Sequence, residues 1–401
     1  MIVLAGASVV LADRQLESAS LVIEGGRIVE VREGVVEGGD RADFAGHVIL
    51  PGFVDVHVHG VEGLDTLASD DAARLLARRL PKYGVTAFCP TTVACPPDVL
   101  RRLLDGIREC RSRPEPGAAR VLPAHLESNF INPEYRGAQP LSCLRRPDRD
   151  VLPAGDDGPA FSGGEILDVI DAARGEVGIV TMAPELTGGL DLVRRFVANG
   201  HHVSLGHSAA TYEEGLAGVD AGARHATHLF NRMPPLSHRA PGLVGAVFER
   251  TEVRAEIVCD GYHVHPAVAR AAIRVLGADR VMAITDGTAG AGLPVGTRVP
   301  LGSHTITVKP EAAFLPDGTL AGSTLTMDGA FRNLVGRMGL SLVEAAQLCA
   351  TTPARQLKLG DTGCIAPGAA ADLVVLDANL RPVATWVNGI RHPRGGGGAA
   401  R

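Results

Sequence analysis

Between residues 50 and 360 the sequence alternates between short apolar runs typical of β-strands and longer amphipathic stretches typical of helices. Eight strand-like runs lie near residues 53–59, 85–89, 121–127, 177–183, 202–207, 224–228, 255–260 and 281–286. Helices are predicted at 70–82, 97–110, 165–174, 189–198 and 266–276. Thr211 with Glu214, and Ser341 with Glu344, have the spacing of a capping box that starts a helix. The alternation favours an α/β fold built as a (β/α)8 TIM-like barrel, although doubly wound sheets alternate in the same way.

Both ends of the chain have a different pattern, which is rich in β-strand signals. Residues 2–10 and 20–32 are strand-like, and Gly25-Gly26 marks a hairpin turn within the second stretch. Residues 371–377 and the segment around Asn388-Gly389 have the same character. We therefore expect a small β-sandwich domain formed by both termini, with the barrel inserted between its halves. The predicted boundaries are 1–48 and 359–392 for the β-domain, 49–358 for the barrel, and 393–401 for a glycine-rich, disordered tail.

Composition excludes several classes of protein. The net charge of -6 and the absence of a basic stripe with interleaved aromatic residues give no support for nucleic-acid binding. No apolar run approaches the roughly 20 residues of a membrane-spanning helix, and the N-terminus lacks the positive region of a signal peptide. The seven cysteines are scattered and never form a CxxC pair, so we expect reduced thiols in a cytoplasmic protein rather than disulfides or a thiolate zinc site.

The motif PGFVDVHVHG, residues 51–60, contains the first candidate metal ligands. Alternate residues of a strand share a face, so Asp55, His57 and His59 are predicted to point the same way. A lone buried histidine is more often a satisfied core residue than a ligand. Two histidines and an aspartate on one face, near the end of a strand, favour a divalent metal site.

Further ligand-type residues lie where other predicted strands end. Glu127 ends the third strand, His207 the fifth, His228 the sixth and Asp286 the eighth. Each of them alone has a purely structural explanation, such as a salt-bridged glutamate or a capping aspartate. Together with His57 and His59 they would share the face on which barrel enzymes place their active sites.

Such a cluster predicts metal-assisted hydrolysis. A metal site generates a nucleophile from water at neutral pH and polarises a carbonyl group, and Asp286 is the natural proton shuttle beside it. Nitrogen and oxygen ligands without thiolate suit Zn²⁺, which is the favoured expectation, and also Fe²⁺ or another first-row ion. The sequence leaves open whether each subunit binds one or two ions.

A long irregular stretch, residues 128–164, follows the strand that carries Glu127. Structureless segments of this length are usually functional loops, although a surface insertion has the same composition. Its position directly after a candidate ligand favours a lid or a binding loop.

The chain resembles the N-acetylglucosamine-6-phosphate deacetylases of the amidohydrolase superfamily over nearly its whole length. The segments that carry the resemblance are PGFVDVHVHG, HLESNFINPEYRGAQP, MAPE, SLGHSAATYEE, THLFNRMPPLSHRAPGLVGA, DGYHVHP, TDGTAGAGLP, LAGSTLTMDGAFRNLV and GCIAPGAAADLVVLD. The resemblance implies hydrolysis of the acetamide of N-acetyl-D-glucosamine 6-phosphate to D-glucosamine 6-phosphate and acetate, in amino-sugar catabolism. It also implies a small-molecule phosphosugar as the substrate and a homodimer, and the composition leaves us expecting no nucleic-acid or membrane partner.

The resemblance assigns roles residue by residue. Glu127, His207 and His228 match the main metal site, while His57 and His59 match the pair that supports a second ion where it is present. Asp286 matches the catalytic acid and base. The residues that match substrate contacts are Gln139, Asn231, the backbone at Arg232, Arg239 and His263.

Some residues depart from the family pattern. Ser128-Asn129 replaces a usual Gly-Pro, Gln139 replaces a histidine near the substrate carbonyl, and Arg232 stands where alanine is common. These departures keep open a deacetylase of another N-acyl amino sugar.

The sequence disfavours a cyclic-amide hydrolase of the same superfamily and also a barrel without enzymatic activity. Cyclic-amide hydrolases usually need a carbamylated lysine at the end of strand 4, and here that region reads IVTMAPE, with no lysine at any predicted strand end. A barrel without activity would tend to lose its metal ligands, and all six candidates are present.

Overall fold

The fold is described from a computed structural model that defines residues 1–36, 38–147, 160–310 and 312–393. The predicted tail, apart from residue 393, and residues 148–159 of the predicted lid lie outside these ranges. The strands are, in chain order, β1 (Ile2–Val10), β2 (Gln15–Glu24), β3 (Arg27–Glu33), β4 (Asp40–Asp43), β5 (Val48–Pro51), β6 (Phe53–Val58), β7 (Gly60–Val61), β8 (Leu64–Asp65), β9 (Val85–Thr92), β10 (Arg120–Val121), β11 (Ala124–Glu127), β12 (Val177–Met182), β13 (His202–Leu205), β14 (His225–Ala226), β15 (Arg254–Val258), β16 (Val281–Ile284), β17 (Arg298–Leu301), β18 (His304–Val308), β19 (Ala313–Phe314), β20 (Leu373–Leu376), β21 (Pro382–Val387) and β22 (Ile390–Arg391). The α-helices are α1 (Ala72–Arg79), α2 (Pro97–Ser112), α3 (Gly163–Ala172), α4 (Gly189–Ala198), α5 (Tyr212–Asp220), α6 (Gly242–Glu249), α7 (Pro266–Leu276), α8 (Met327–Gly336), α9 (Leu342–Ala346) and α10 (Thr352–Gln356).

Parallel strands form the barrel, in the order β6, β9, β11, β12, β13, β14, β15 and β16, and the short β10 adds to β9 just before β11. A parallel bridge between Val58 and Gly287 brings the last strand back to the first. Each of these eight strands is followed in the chain by one of the helices α1 to α8. The predicted (β/α)8 barrel is therefore confirmed, and the eight strands lie where the apolar runs occur in the sequence.

The helices begin and pack as their sequences dictate. Both predicted capping boxes are formed, because Thr211 and Ser341 each accept a hydrogen bond from the backbone N–H three residues later. The apolar faces of the helices are buried, as with Leu76 of α1 and with Leu104 and Ile107 of α2. No α-helix within the described ranges has the length and apolar character that would let it cross a membrane.

The two chain ends meet in one sheet with the order β22, β21, β20, β5, β1, β2, β3, with β4 also paired to β1. The hairpin around Gly25-Gly26 joins β2 and β3 as predicted. This sheet has its own buried core, which includes Leu21, Ile49 and Trp386. The β-domain formed by both termini is thus confirmed in architecture, while its boundaries stay a prediction.

A small antiparallel sheet of β17, β18 and β19 lies between β16 and α8 and was not predicted. Its strands are short, and β17 alternates exposed and buried residues over four positions only. This insertion matters for the site, because Leu301 at the end of β17 and Leu320 just beyond β19 line the cavity described below.

Candidate metal centre

The five predicted metal ligands and Asp286, the predicted acid and base, lie together at the carboxyl ends of the barrel strands. His57 lies near the end of β6 and His59 just beyond it, and Glu127 is the last residue of β11. His207, His228 and Asp286 each lie two residues past the end of a strand. All six are buried, with at most 7% of the residue exposed. Strands that are far apart in sequence thus bring these side chains into one small volume.

The last three of these residues share an unusual backbone conformation. His207, His228 and Asp286 have positive φ angles of 48°, 27° and 47°. A residue with a side chain is strained there by about 1–3 kcal/mol, and such strain is typical of functional sites. The turn after each strand therefore holds its ligand in a costly conformation that the surrounding hydrogen bonds must maintain.

One group of ligand atoms consists of Glu127, His207 and His228. The Oε1 atom of Glu127 lies 2.7 Å from Nε2 of His207 and 3.0 Å from Nε2 of His228, and the two Nε2 atoms are 3.0 Å apart. Three donor atoms that converge in this way define a position for one cation, which we call the main position. The Nδ1 atom of His207 contacts the backbone carbonyl of Tyr135 at 2.8 Å, which fixes the orientation of the ring.

A second group of ligand atoms lies directly beside the first. The Nε2 atoms of His57 and His59 are 3.2 Å apart and lie 3.5 Å and 3.3 Å from Oδ1 of Asp286. The Oε2 atom of Glu127 is 3.5 Å from Nε2 of His59. We call this group the second position. Glu127 presents one oxygen to each position, as a carboxylate that bridges two ions would.

The electrostatics of the cluster favour positive charge. Burial alone would lower the pKa of His57, but the carboxylates of Glu256 and Asp286 outweigh it and raise that pKa to about 10. Burial opposes ionisation of Glu127 and Asp286, yet the neighbouring imidazoles hold the pKa of both carboxyls below their usual values. A cavity that stabilises an imidazolium and ionised carboxylates so strongly is suited to a divalent cation.

Asp55 shares the strand of His57 but does not join the cluster. Its carboxylate accepts a hydrogen bond from the hydroxyl of Thr285 at 2.6 Å, and burial raises its pKa to about 7. The pairing of β6 with β9 is irregular between Asp55 and Val58, so the simple alternation of faces expected for a regular strand does not hold here. Asp55 therefore supports the strand ends rather than the ligand set.

Glu256 is a buried carboxylate that was not among the predicted site residues. It lies on β15, is completely inaccessible to solvent, and its Oε2 atom contacts Nδ1 of His57 at 2.9 Å. A signal was present in the sequence, because RAEIV places a glutamate between the apolar residues Ala255 and Ile257 of the strand. His125 lies nearby with a pKa that burial lowers to about 3, so its ring is neutral and hydrogen-bonded to Thr181 and the carbonyl of Val56.

A cavity opens beside the two positions and is lined by four of the five predicted substrate contacts. These are Gln139, Asn231, Arg232 and His263. The fifth, Arg239, does not line this cavity and belongs to the exposed segment 235–240. Arg232 is half-buried, and burial together with the like charge of Arg136 lowers its pKa. Two guanidinium groups near each other would be suited to an anion.

The residues that depart from the family pattern have distinct roles. Ser128 donates to the carbonyl of Thr181 at 2.6 Å, and Asn129 donates to the carbonyls of Cys95 and Cys143. Both fix the start of the predicted loop and neither lines the cavity. Gln139 does line it, donates to Oε2 of Glu127 and accepts from the backbone N–H of Ala94 at 2.7 Å. Of these departures, Gln139 and Arg232 are thus placed to touch a substrate.

Comparison with known proteins identifies the relatives of this chain. Residues 48–392 match the amidohydrolase family model. An N-acetylglucosamine-6-phosphate deacetylase from Lysinibacillus sphaericus is 34% identical over 377 residues, or 93% of each chain. An N-acetylgalactosamine-6-phosphate deacetylase from Escherichia coli O157:H7 is also 34% identical, over 85% of this chain and 87% of that one. The solved structure of a mutant N-acetyl-D-glucosamine-6-phosphate deacetylase from Mycobacterium smegmatis, in complex with N-acetyl-D-glucosamine 6-phosphate, matches with a TM-score of 0.87 at 33% identity, over 98% of this chain and 99% of that one.

Proposed function

The chain belongs to the amidohydrolase family, and on that premise we propose that it hydrolyses the acetamide of N-acetyl-D-glucosamine 6-phosphate to D-glucosamine 6-phosphate and acetate. One observation carries the proposal: six buried ligand-type side chains converge at the carboxyl ends of the barrel strands, beside a cavity that contains Arg232. The deacetylases among its relatives agree with it.

The residues present fit a divalent metal. Each position offers three ligand atoms within 4.8 Å of one another, all from histidine or carboxylate groups. Glu127, His207 and His228 would hold the main ion, and His57, His59 and Asp286 would hold a second one. This donor set suits Zn²⁺ in particular and Fe²⁺ or another first-row ion as well. When bound, the metal would supply Lewis-acid polarisation of the carbonyl and lower the pKa of water.

Asp286 would perform the proton transfers. Its carboxylate takes a proton from the attacking water as the oxygen adds to the acetamide carbon. The C–N bond then breaks, and Asp286 passes the same proton to the leaving amine nitrogen, which releases acetate. The lowered pKa of Asp286 keeps it ionised and ready to accept that proton at neutral pH.

Other residues of the cavity would bind and orient the sugar. The donor group of Gln139 faces Glu127, which supports a role for this amide beside the reacting carbonyl. His263 is held by a 2.6 Å contact between its Nδ1 and Asp260, which leaves Nε2 as the ring nitrogen for the substrate. Arg232 and Asn231 would bind the phosphate, since a guanidinium group forms strong charge-assisted hydrogen bonds with it.

Arg239 fits this scheme through a second copy of the chain. It is exposed on the segment 235–240 and does not line the cavity of its own protomer. We propose a homodimer in which this segment of one protomer reaches the cavity of the other. Sedimentation analysis tests the dimer. Mixing an Arg239→Ala chain with an Asp286→Asn chain should restore activity above that of either alone if the phosphate contact crosses the interface.

A deacetylase for N-acetyl-D-galactosamine 6-phosphate is the second candidate, because a relative with that name is equally similar in sequence. The test measures acetate release from both phosphorylated sugars and from free N-acetylglucosamine, with and without a chelator. The proposal expects metal-dependent turnover that is fastest with N-acetylglucosamine 6-phosphate. Faster turnover of the galactosamine ester would favour the second candidate, and no acetate from any of them would refute both.

The protein would act in the cytoplasm. All seven of its cysteines are free thiols and six of them are buried, which suits a reducing compartment. Localisation of a tagged protein in cells of the source organism tests this point.

A further inference from the structure

Glu256 lies beneath both metal positions and touches one ligand of each. Its Oε2 atom contacts Nδ1 of His57, at 2.9 Å, and accepts the backbone N–H of His228, at 3.2 Å. Its own backbone carbonyl accepts the N–H of Leu229 at 2.8 Å. One buried residue therefore contacts the ring of a ligand of the second position and the backbone of a ligand of the main position.

The contact with His57 determines which ring nitrogen faces the metal. The imidazole that binds a metal is neutral and carries one proton, and a carboxylate only accepts hydrogen bonds. Glu256 therefore requires that proton on Nδ1 of His57, and the lone pair of Nε2 is then free for a cation. His59 differs, because its Nδ1 has no hydrogen-bond partner among the described residues. His57 is thus the ligand of the second position that a carboxylate orients.

The contact with His228 supports a strained turn. His228 has a φ of 27°, a value that costs energy for a residue with a side chain. Hydrogen bonds from the N–H groups of residues 228 and 229 to Glu256 hold the backbone there. Without them the turn is expected to relax and to withdraw the His228 ring from the main position.

The other carboxylate oxygen of Glu256 also faces imidazoles. Its Oε1 atom lies 3.0 Å from Nε2 of His225 and 3.7 Å from Nδ1 of His125, and all these groups are fully buried. A carboxylate in such a place is costly unless it is paired. Imidazoles supply that pairing here, and one of them, His57, is a ligand of the second position.

We propose that Glu256 is the positioning residue of this metal centre, which fixes the tautomer of His57 and the turn of His228 and so sets the affinity for metal. The inference rests on the proposed metal centre but not on the substrate. It concerns how tightly ions bind, which is measured without any sugar present.

The test is Glu256→Met, which preserves size and removes the oxygen that accepts both N–H groups. Without that oxygen, His57 is no longer held in the tautomer with Nδ1–H, and the His228 turn loses one of its two hydrogen bonds to residue 256. We expect the affinity for Zn²⁺, measured by competition with a chromophoric chelator, to fall about 10- to 100-fold, as for other groups that orient metal ligands. The zinc content after gel filtration should fall with it.

Thr181→Val is the matched control. Thr181 belongs to the same buried network, through a 2.7 Å hydrogen bond with His125, but its hydroxyl bonds no metal ligand. This variant should bind Zn²⁺ like the wild type even if its thermal stability in chelator is lower. A purely structural role for Glu256 would likewise lower stability in chelator and leave zinc affinity unchanged.

Wild-type zinc affinity in a folded Glu256→Met protein would overturn the proposal. If that variant does not fold, Glu256→Asp replaces it, because its shorter side chain withdraws the accepting oxygen from both N–H groups, and the same criterion applies. Failure of both variants to fold would also overturn it, since Glu256 would then serve folding. Failure of the proposed function is a separate result, namely a zinc-loaded wild type that releases no acetate.

Discussion

Replacing Asp286 with asparagine isolates the proton transfer from the binding of the metal. Asparagine has the size of aspartate and is among the residues that best tolerate a positive φ, so the turn at 47° should persist. The backbone bonds of this turn, Asp286 N–H to His57 and Ser323 N–H to Asp286, do not involve the side chain. The ligands of the main position are other residues, so that ion should remain bound.

The expected loss follows from what else in the cavity accepts a proton. Glu127 is the other carboxylate that lines the described part of the cavity, and both of its oxygens are engaged, Oε1 by His207 and His228 and Oε2 by Gln139. No other carboxylate of the described cavity is therefore placed to substitute for Asp286. A general acid and base contributes about 10²–10⁴-fold to turnover, or about 3–5 kcal/mol. We therefore expect kcat to fall by about 10²-fold or more.

The assay is acetate release under saturating substrate, together with zinc content by mass spectrometry and thermal unfolding. Asp55→Asn is the matched control, because Asp55 is a fully buried aspartate on the strand of His57 that bonds Thr285 and the backbone N–H of His57 but no ligand side chain. The amide oxygen can accept the backbone N–H groups of His57 and Thr285, and the amide NH₂ can donate to the Thr285 hydroxyl, so kcat should stay near the wild-type value. Near-normal kcat in a folded, zinc-loaded Asp286→Asn protein would refute the role of Asp286.

Removal of metal with a chelator should abolish turnover and lower the melting temperature, since a ligand at about 1,000 times its Kd stabilises the folded state by about 4 kcal/mol; unchanged turnover at zero metal content would contradict the proposed centre. Arg232→Met should raise KM for the phosphorylated sugar about 10- to 100-fold, because a hydrogen bond to a charged group contributes roughly 1.5–3 kcal/mol. The kcat/KM for the unphosphorylated sugar should stay unchanged, and an equal effect on both sugars would argue against a phosphate contact. Ser341→Ala should lower the free energy of unfolding by about 1 kcal/mol at pH 7 through loss of a helix cap. The hydrogen bonds from Ser341 lower the pKa of Glu344, so the stability that this carboxylate adds is present at neutral pH and is lost as the pH falls through its titration range. Urea titrations of the wild type and of Ser341→Ala should therefore show a smaller difference in unfolding free energy at acidic pH than at pH 7. A difference that grew on acidification would count against the cap.

The barrel was predictable because its signals are local. Each strand is a short apolar run such as VGIVTM, and each helix has an amphipathic pattern or a capping box that needs no distant partner. The same holds for the positions of the candidate ligands, since each lies at a recognisable strand end. The sheet of β17 to β19 was missed because its strands are short and half-exposed, and their pattern does not differ from that of a polar loop.

Other features of the site depended on distant contacts. Glu256 is separated from His57 by 199 positions in the chain, and nothing in either segment alone indicates that they touch. Arg239 lies in a motif whose resemblance implies a phosphate contact, yet the fold places it on an exposed segment that does not line the cavity beside the metal positions. The sequence also grouped Asp55 with the ligands, and an irregularity in the pairing of β6 assigns it to Thr285 instead.

The sequence by itself determined the order of strands and helices and the types of side chain at the strand ends, because both follow from neighbouring residues. Tertiary structure decided which of those side chains share an ion, which carboxylate orients which imidazole, and which arginine faces the cavity. These are distances of about 3 Å between atoms whose residues are up to two hundred positions apart, and only the closed barrel fixes them.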